Sequence, residues 1–129
     1  IKGTNMKIFK AGEVITREGA NDKELFILIN GKIGVFKADV KVAEFSEKGM
    51  VIGEMSIILN GLRTATLIAE EESVVLNLNL PIDKLIEKYP DLVKKMLINL
   101  AERLQVLTKE YYCLAKGITP DQLDTDSQE

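Results

Sequence analysis

The period of the apolar residues changes once along this chain, and that change restricts the fold more than any other feature. Through residues 1–80, short runs rich in β-branched and aromatic residues alternate with turn residues at close spacing. The pattern predicts strands near residues 6–10, 13–17, 25–30, 32–37, 40–45, 64–69 and 73–80, punctuated by "KAGE", "EGAND", "NG", "KAD" and "EKG". In "LNLNL", Leu76, Leu78 and Leu80 fall on one face and Asn77 and Asn79 on the other, the alternation of a half-buried strand. Strands this short and this numerous suggest a sandwich or a small barrel.

From Pro81 the period becomes helical. Pro81 opens a short helix in "PIDKLIEKY", where its missing N–H leaves no bond unmade, and Pro90 breaks and restarts it. Residues 91–116 then carry Val93, Leu97, Leu100, Leu104, Leu107, Tyr111 and Leu114 at alternating steps of four and three. That stripe is read either as one buried helix face or as a seam between two chains. Leu92, Met96 and Leu100 widen it. The tail "TPDQLDTDSQE" is polar and acidic and is expected to fray. A chain of 129 residues is long enough for one domain. The expected division is a domain over 1–116, with the barrel at about 6–80 and helices at about 81–116, followed by a polar acidic tail at 117–129.

Composition removes several classes of function. The chain has no histidine, which excludes imidazole-based acid–base chemistry and the metal sites built from imidazole. "GEMSI" lacks the second glycine of a nucleophile elbow, so neither a catalytic residue nor a metal ligand is assigned and an enzyme is not expected. A formal charge of −3 argues against direct nucleic-acid binding. Cys113 is the single cysteine, so no internal disulfide forms and a cytoplasmic setting is the default. No apolar run approaches the ~18 residues of a membrane span, and no membrane insertion is expected.

One stretch asks for a ligand. Residues 53–66 read "GEMSIILNGLRTAT". A Gly-Glu pair entering a short apolar turn or helix offers backbone N–H groups to an anion. Glu54 would repel a bare phosphate but accept from a sugar hydroxyl beside one. Arg63 lies nine residues on, beyond an Asn-Gly turn, and its planar guanidinium matches phosphate oxygens. Together they describe a site for a ligand with one phosphate and one hydroxyl. The plainer alternatives are a surface arginine on a loop and a helix-start carboxylate favoured by the dipole.

This stretch resembles the phosphate-binding cassette of the cyclic nucleotide-binding domain, in which F-G-E-[LM]-[AS]-L precedes a short turn and P-R-[AST]-A-[TS]. "GEVITREGANDKELFILINGKIGVF" is similar to the family's early strands, and "YPDLVKKMLINLAERLQVLTKEY" to its hinge and long final helix, closest to the bacterial catabolite-activator branch. The resemblance covers about residues 7–113. It implies a mainly β fold: an antiparallel jelly-roll β-barrel holding the cassette, followed by a short helix and a long final helix. It implies cyclic AMP or cyclic GMP as ligand, with no other cofactor. Arg63 would hold the cyclic phosphate, Glu54 the ribose 2′-hydroxyl, and the backbone N–H groups of Met55 and Ser56 the anion, with Gly53 permitting close approach. Thr64 and the adjoining Ala65 would contact phosphate or purine, Val35 would pack on the base, and Leu104, Leu107, Thr108 or Tyr111 would cover it. The chain departs from the family at Leu62, where proline is common, in lacking the acidic residue usual before the Gly-Glu pair, and in having only "IKGTN" before the first strand.

Three functions follow as expectations. The favoured one is a regulatory module whose final helices shift over an occupied pocket. The second is a related barrel that has lost ligand response and serves for dimerisation, through the final helix, or for docking. A carboxylate-based phosphodiesterase is a distant third.

Overall fold

In a computed structural model, residues 4–126 are described. Eight strands come first: β1 (Thr4–Phe9), β2 (Val14–Thr16), β3 (Leu25–Asn30), β4 (Ile33–Lys37), β5 (Val40–Phe45), β6 (Val51–Ile52), β7 (Thr66–Ala69) and β8 (Ser73–Leu78). Between β6 and β7 lies one short helix, α1 (Glu54–Ile58), and after β8 come α2 (Ile82–Lys88), α3 (Pro90–Lys116) and α4 (Pro120–Asp126). The strands form two four-stranded antiparallel sheets, ordered β1-β8-β3-β6 and β2-β7-β4-β5. The expected fold, mainly antiparallel β followed by a short and a long helix, is the one observed.

The core lies where the inner faces of the two sheets meet. Phe26, Leu28, Ile52 and Val75 come from the first sheet, and Ile33, Phe45 and Leu67 from the second. Burying large side chains of this kind contributes about 1.5–3 kcal/mol each before entropy is counted. The chain passes from one sheet to the other at Gly31. Its φ of 115° suits glycine, and a Cβ there would fall 2.2 Å from Ser73 Oγ. Ser73 in turn accepts from Lys32 N at 3.1 Å and donates to Glu71 O at 2.8 Å, so the crossing is fastened to the start of β8.

One strand went unannounced, and two local expectations fail. β6 is only two residues long, too short for a periodic signal, and pairs with Phe26 and Ile27 of β3. The alternation in "LNLNL" sets Asn77 opposite the leucines on an open face, yet it is only 5 % exposed, on the buried side with Val75 and Ser73. β8 sits between β1 and β3, and the Asn77 amide donates to the Glu24 carboxylate, a partner far away in sequence. The tail, expected to fray, contains α4 through Asp126, while residues 127–129 lie outside the described region. Thr119 starts α4 by accepting from Gln122 N and Leu123 N through its carbonyl, and its own N–H donates to Gln122 Oε1 at 2.7 Å.

The chain divides into two compact units, Ile1–Val93 and Lys94–Glu129. The first contains both sheets, α1 and α2. Pro81 O accepts from Lys84 N and Leu85 N, which starts α2. In the second, α3 ends at Gly117, whose φ of 70° allows Gly117 N to reach Leu114 O and Ile118 N to reach Cys113 O. This pair of bonds satisfies carbonyls that a helix end otherwise leaves open. Met96 and the free Cys113 are the buried residues of α3. Among the described residues no helix is long and apolar enough to cross a membrane.

Candidate functional site

Gly53 begins the site. It precedes α1 in the left-handed conformation, φ 88° and ψ 13°, which turns the chain sharply from β6 into the helix. A Cβ at this position would lie 2.6 Å from Arg63 Nη1 and 3.2 Å from Glu24 O. Glycine is therefore required twice, for its backbone angle and for the guanidinium packed against it. Glu54, 4 % exposed, opens α1 next to it, and Ser56 is equally buried.

Arg63 is the centre of the site and is only 5 % exposed. A guanidinium has five N–H donors, and here all of them bond to protein. Nε and Nη2 both donate to Asp22 Oδ2, at 3.1 and 2.6 Å, and Nη2 also donates to Glu24 O. Nη1 donates to Gly53 O at 2.9 Å and to Ser56 Oγ at 2.8 Å. One flat face stands over the Phe26 ring, with Cζ 5.3 Å from its centroid, a favourable cation–π placement. The backbone is fixed as well, since Arg63 N donates to Ala20 O and Gly19 N donates to Arg63 O.

Asp22 is the main residue of the candidate site that the sequence did not single out. Its segment, "EGAND", reads only as a turn, yet it supplies the counter-charge to Arg63. Burial alone pushes the Asp22 carboxyl up, but hydrogen bonds from Arg63 and Thr16 and the charge of Arg63 outweigh this and hold it below its ordinary value. An acidic side chain in a turn just ahead of a buried strand was the available signal. It gained meaning only once the fold placed that turn beside Arg63.

The structure brings Gly53, Ser56 and Arg63 into direct contact, with Glu54 next to Gly53 in the chain. Met55 lies between them and is partly exposed. Thr64 is exposed and uses its carbonyl to accept from Lys37 Nζ at 3.2 Å, while Ala65 is half-buried. Thr66 acts as a strand residue whose hydroxyl accepts from Glu18 N at 2.9 Å. Val35 is half-buried on β4 against the core, opposite Leu67. Leu104, Leu107, Thr108 and Tyr111 belong to α3 in the second unit, and all four are exposed. Among the described residues no group of three or more His, Cys, Asp or Glu is placed to hold a metal ion.

Comparison with known proteins identifies the family. The family model of the cyclic nucleotide-binding domain matches residues 6–87. A cAMP-dependent protein kinase regulatory subunit of Blastocladiella emersonii is 36% identical over 70 residues, covering 50% of this chain and 17% of that protein. The chain spans less than a fifth of the length of the first curated relatives it matches. Among solved structures, the regulatory subunit of a cAMP-independent protein kinase A from Trypanosoma brucei has a TM-score of 0.56 and 29% identity, covering 60% of this chain and 28% of that one. The Thermus thermophilus catabolite activator protein has a TM-score of 0.74 at 24% identity, covering 87% and 55% respectively, and shares the fold. With more than half of its residues matched by the family model, and a buried arginine fixed beside a Gly-Glu turn, the chain belongs to the cyclic nucleotide-binding domain family.

Proposed function

We propose that this domain binds one cyclic nucleotide, cyclic AMP or cyclic GMP, in the cassette of residues 53–66 and acts as a regulatory module. The observation that carries this reading is Arg63, a buried guanidinium held within hydrogen-bonding distance of Gly53 and Ser56. A guanidinium is always charged and its planar fork matches phosphate oxygens, which supports a ligand that exchanges for Gly53 O and Ser56 Oγ. Family likeness alone would not suffice, since one relative of similar fold is described as cAMP-independent. In this reading Arg63 takes the exocyclic phosphate oxygens, Glu54 accepts from the ribose 2′-hydroxyl, and the N–H groups of Met55 and Ser56 complete the anion contacts. Thr64, Ala65 and Val35 flank phosphate and base, and Leu104, Leu107, Thr108 or Tyr111 cover the purine when the C-terminal helices move. The domain transmits occupancy and catalyses nothing, and it works in the cytoplasm.

Calorimetric titration with both nucleotides tests the proposal, with one site per chain expected. Cyclic AMP should bind at least as tightly as cyclic GMP, within ~1–2 kcal/mol, the scale of one hydrogen bond. No heat and no competition with a fluorescent cyclic nucleotide would overturn it.

A second reading has its own observation. All five donors of Arg63 are satisfied by the protein itself, so the cassette is complete as a structural element without a ligand. The domain would then serve in docking or in dimerisation through the exposed stripe of α3, and failure of the titration would favour that role.

A further inference from the structure

The turn at residues 59–62 delivers Arg63 to the site, and its internal bonds are few. Leu59 N closes α1 by donating to Met55 O, Asn60 adopts the left-handed conformation at φ 51°, and Gly61 N reaches Ser56 O at 3.2 Å. Leu62 is exposed and lacks the ring that would lock φ at a proline. Asparagine tolerates this conformation, and with so few bonds inside the turn, contacts from outside it have scope to fix its position.

The loop between β2 and β3 provides one. Lys23 Nζ donates to Gly61 O at 2.7 Å and to Asn21 Oδ1 at 3.1 Å. Its neighbours on both sides already engage Arg63, Asp22 through its carboxylate and Glu24 through its carbonyl. We propose that Lys23 is a positioning residue for the anion site: it pins the exit turn of the cassette to the same loop that grips the guanidinium. A charged donor on a carbonyl gives one of the stronger hydrogen bonds available to a half-buried side chain. Both bonds of the ammonium go to oxygens of the protein, Gly61 O and Asn21 Oδ1, and its proposed action on the ligand runs through the turn. This assignment rests on the cassette being the anion site.

Lys23→Met keeps the apolar stem and removes the donor, and Lys23→Arg restores both donor and charge. Hydrogen exchange on the unliganded proteins should show faster exchange across residues 59–63 in Lys23→Met, recovery in Lys23→Arg, and unchanged protection in β3 and β8. In titrations with cyclic AMP, Lys23→Met should bind about three- to tenfold more weakly, the range for the net loss of one ordinary hydrogen bond acting indirectly. That deficit should be the same at low and high salt. Unaltered exchange across residues 59–63 would overturn the proposal. So would a deficit that disappears in high salt, which marks a direct pull on the phosphate, or loss of protection throughout the barrel, which marks a general role in stability. If the wild-type protein binds no cyclic nucleotide, the ligand reading fails while the exchange comparison still decides the role of Lys23.

Discussion

Arg63 and Asp22 meet through one oxygen: both Nε and Nη2 of the guanidinium donate to Asp22 Oδ2, at 3.1 and 2.6 Å. The pair lies at the rim of the core, with the arginine side chain 4 % exposed and the aspartate 34 %. The aspartate thus holds the charged group on its outer side, while Nη1 turns toward the cassette. At the Nη1 edge both acceptors, Gly53 O and Ser56 Oγ, are neutral, so under the proposed function this is the edge that a phosphate would approach.

Replacing the arginine tests the whole arrangement. Under the proposed function Arg63→Ala removes the cationic partner of the ligand phosphate and is expected to cost ~2–5 kcal/mol of ligand binding, or roughly thirtyfold to several thousandfold in affinity. Calorimetry with cyclic AMP measures this directly, and undiminished binding by the variant would refute the assignment. Glu54→Gln should cost less, because an acceptor for the ribose hydroxyl remains.

Acid should act through Asp22. Its carboxyl lies below the ordinary value of about 3.9 in the folded protein. With the folded value depressed, its contribution to stability is fully present above the unfolded value and is lost as pH falls through the folded one. Urea denaturation of the wild type should therefore show stability declining below about pH 4. Asp22→Asn should be less stable at neutral pH and flatter across that window. Parallel curves for the two proteins would separate Asp22 from the acid response.

Gly53→Ala combines two faults. It forces alanine into φ 88° and sets its Cβ 2.6 Å from Arg63 Nη1. The backbone fault alone costs about 1–3 kcal/mol, and relief of the clash moves the guanidinium. Thermal melting should show the destabilisation, and titration should show weaker nucleotide binding than Met55→Ala, which alters a partly exposed side chain in the same helix. Equal affinities for these two variants would mean that close approach at Gly53 has no bearing on the ligand.

The stripe on α3 allows a clean test because most of its members are exposed. Leu97, Leu104, Leu107, Tyr111 and Leu114 are each more than half exposed, Leu104 by 65 %. If they form a seam with a second copy, sedimentation of the ligand-bound protein should show a dimer, and Leu104→Lys should yield a monomer with little change in melting temperature. A sharp fall in melting temperature at unchanged mass would show instead that Leu104 covers apolar surface within its own chain.

What could be read from the residues follows from the range over which the causes act. The strands with several alternating residues and the long helix announce themselves through local periodicity, and Arg63 through its spacing from the Gly-Glu pair. β6 is two residues long and exists because β3 offers an edge, so no local pattern could mark it. Asp22 and Lys23 acquire their roles from partners 41 and 38 residues away. Asn77 misleads for the same reason, since its partner Glu24 lies 53 residues earlier and turns a polar residue inward. Local pattern carried the scaffold and the charged centre of the site; the residues that grip that centre depended on long-range pairing.

That inward asparagine bears on how the sheet finds its alignment. β8 is apolar on both sides at its middle, with Val75 fully buried on one face and Val74 and Leu76 half-buried on the other. A strand with oil on both faces could slide by one residue between β1 and β3 at little hydrophobic penalty. Such a slip would carry Asn77 away from Glu24 and present a leucine to a carboxylate. The Asn77–Glu24 bond thus makes one alignment of β8 more favourable than its neighbours. Because Glu24 also receives Arg63 through its carbonyl, the contact that sets the strand's alignment also fixes the floor beneath the charged centre of the cassette.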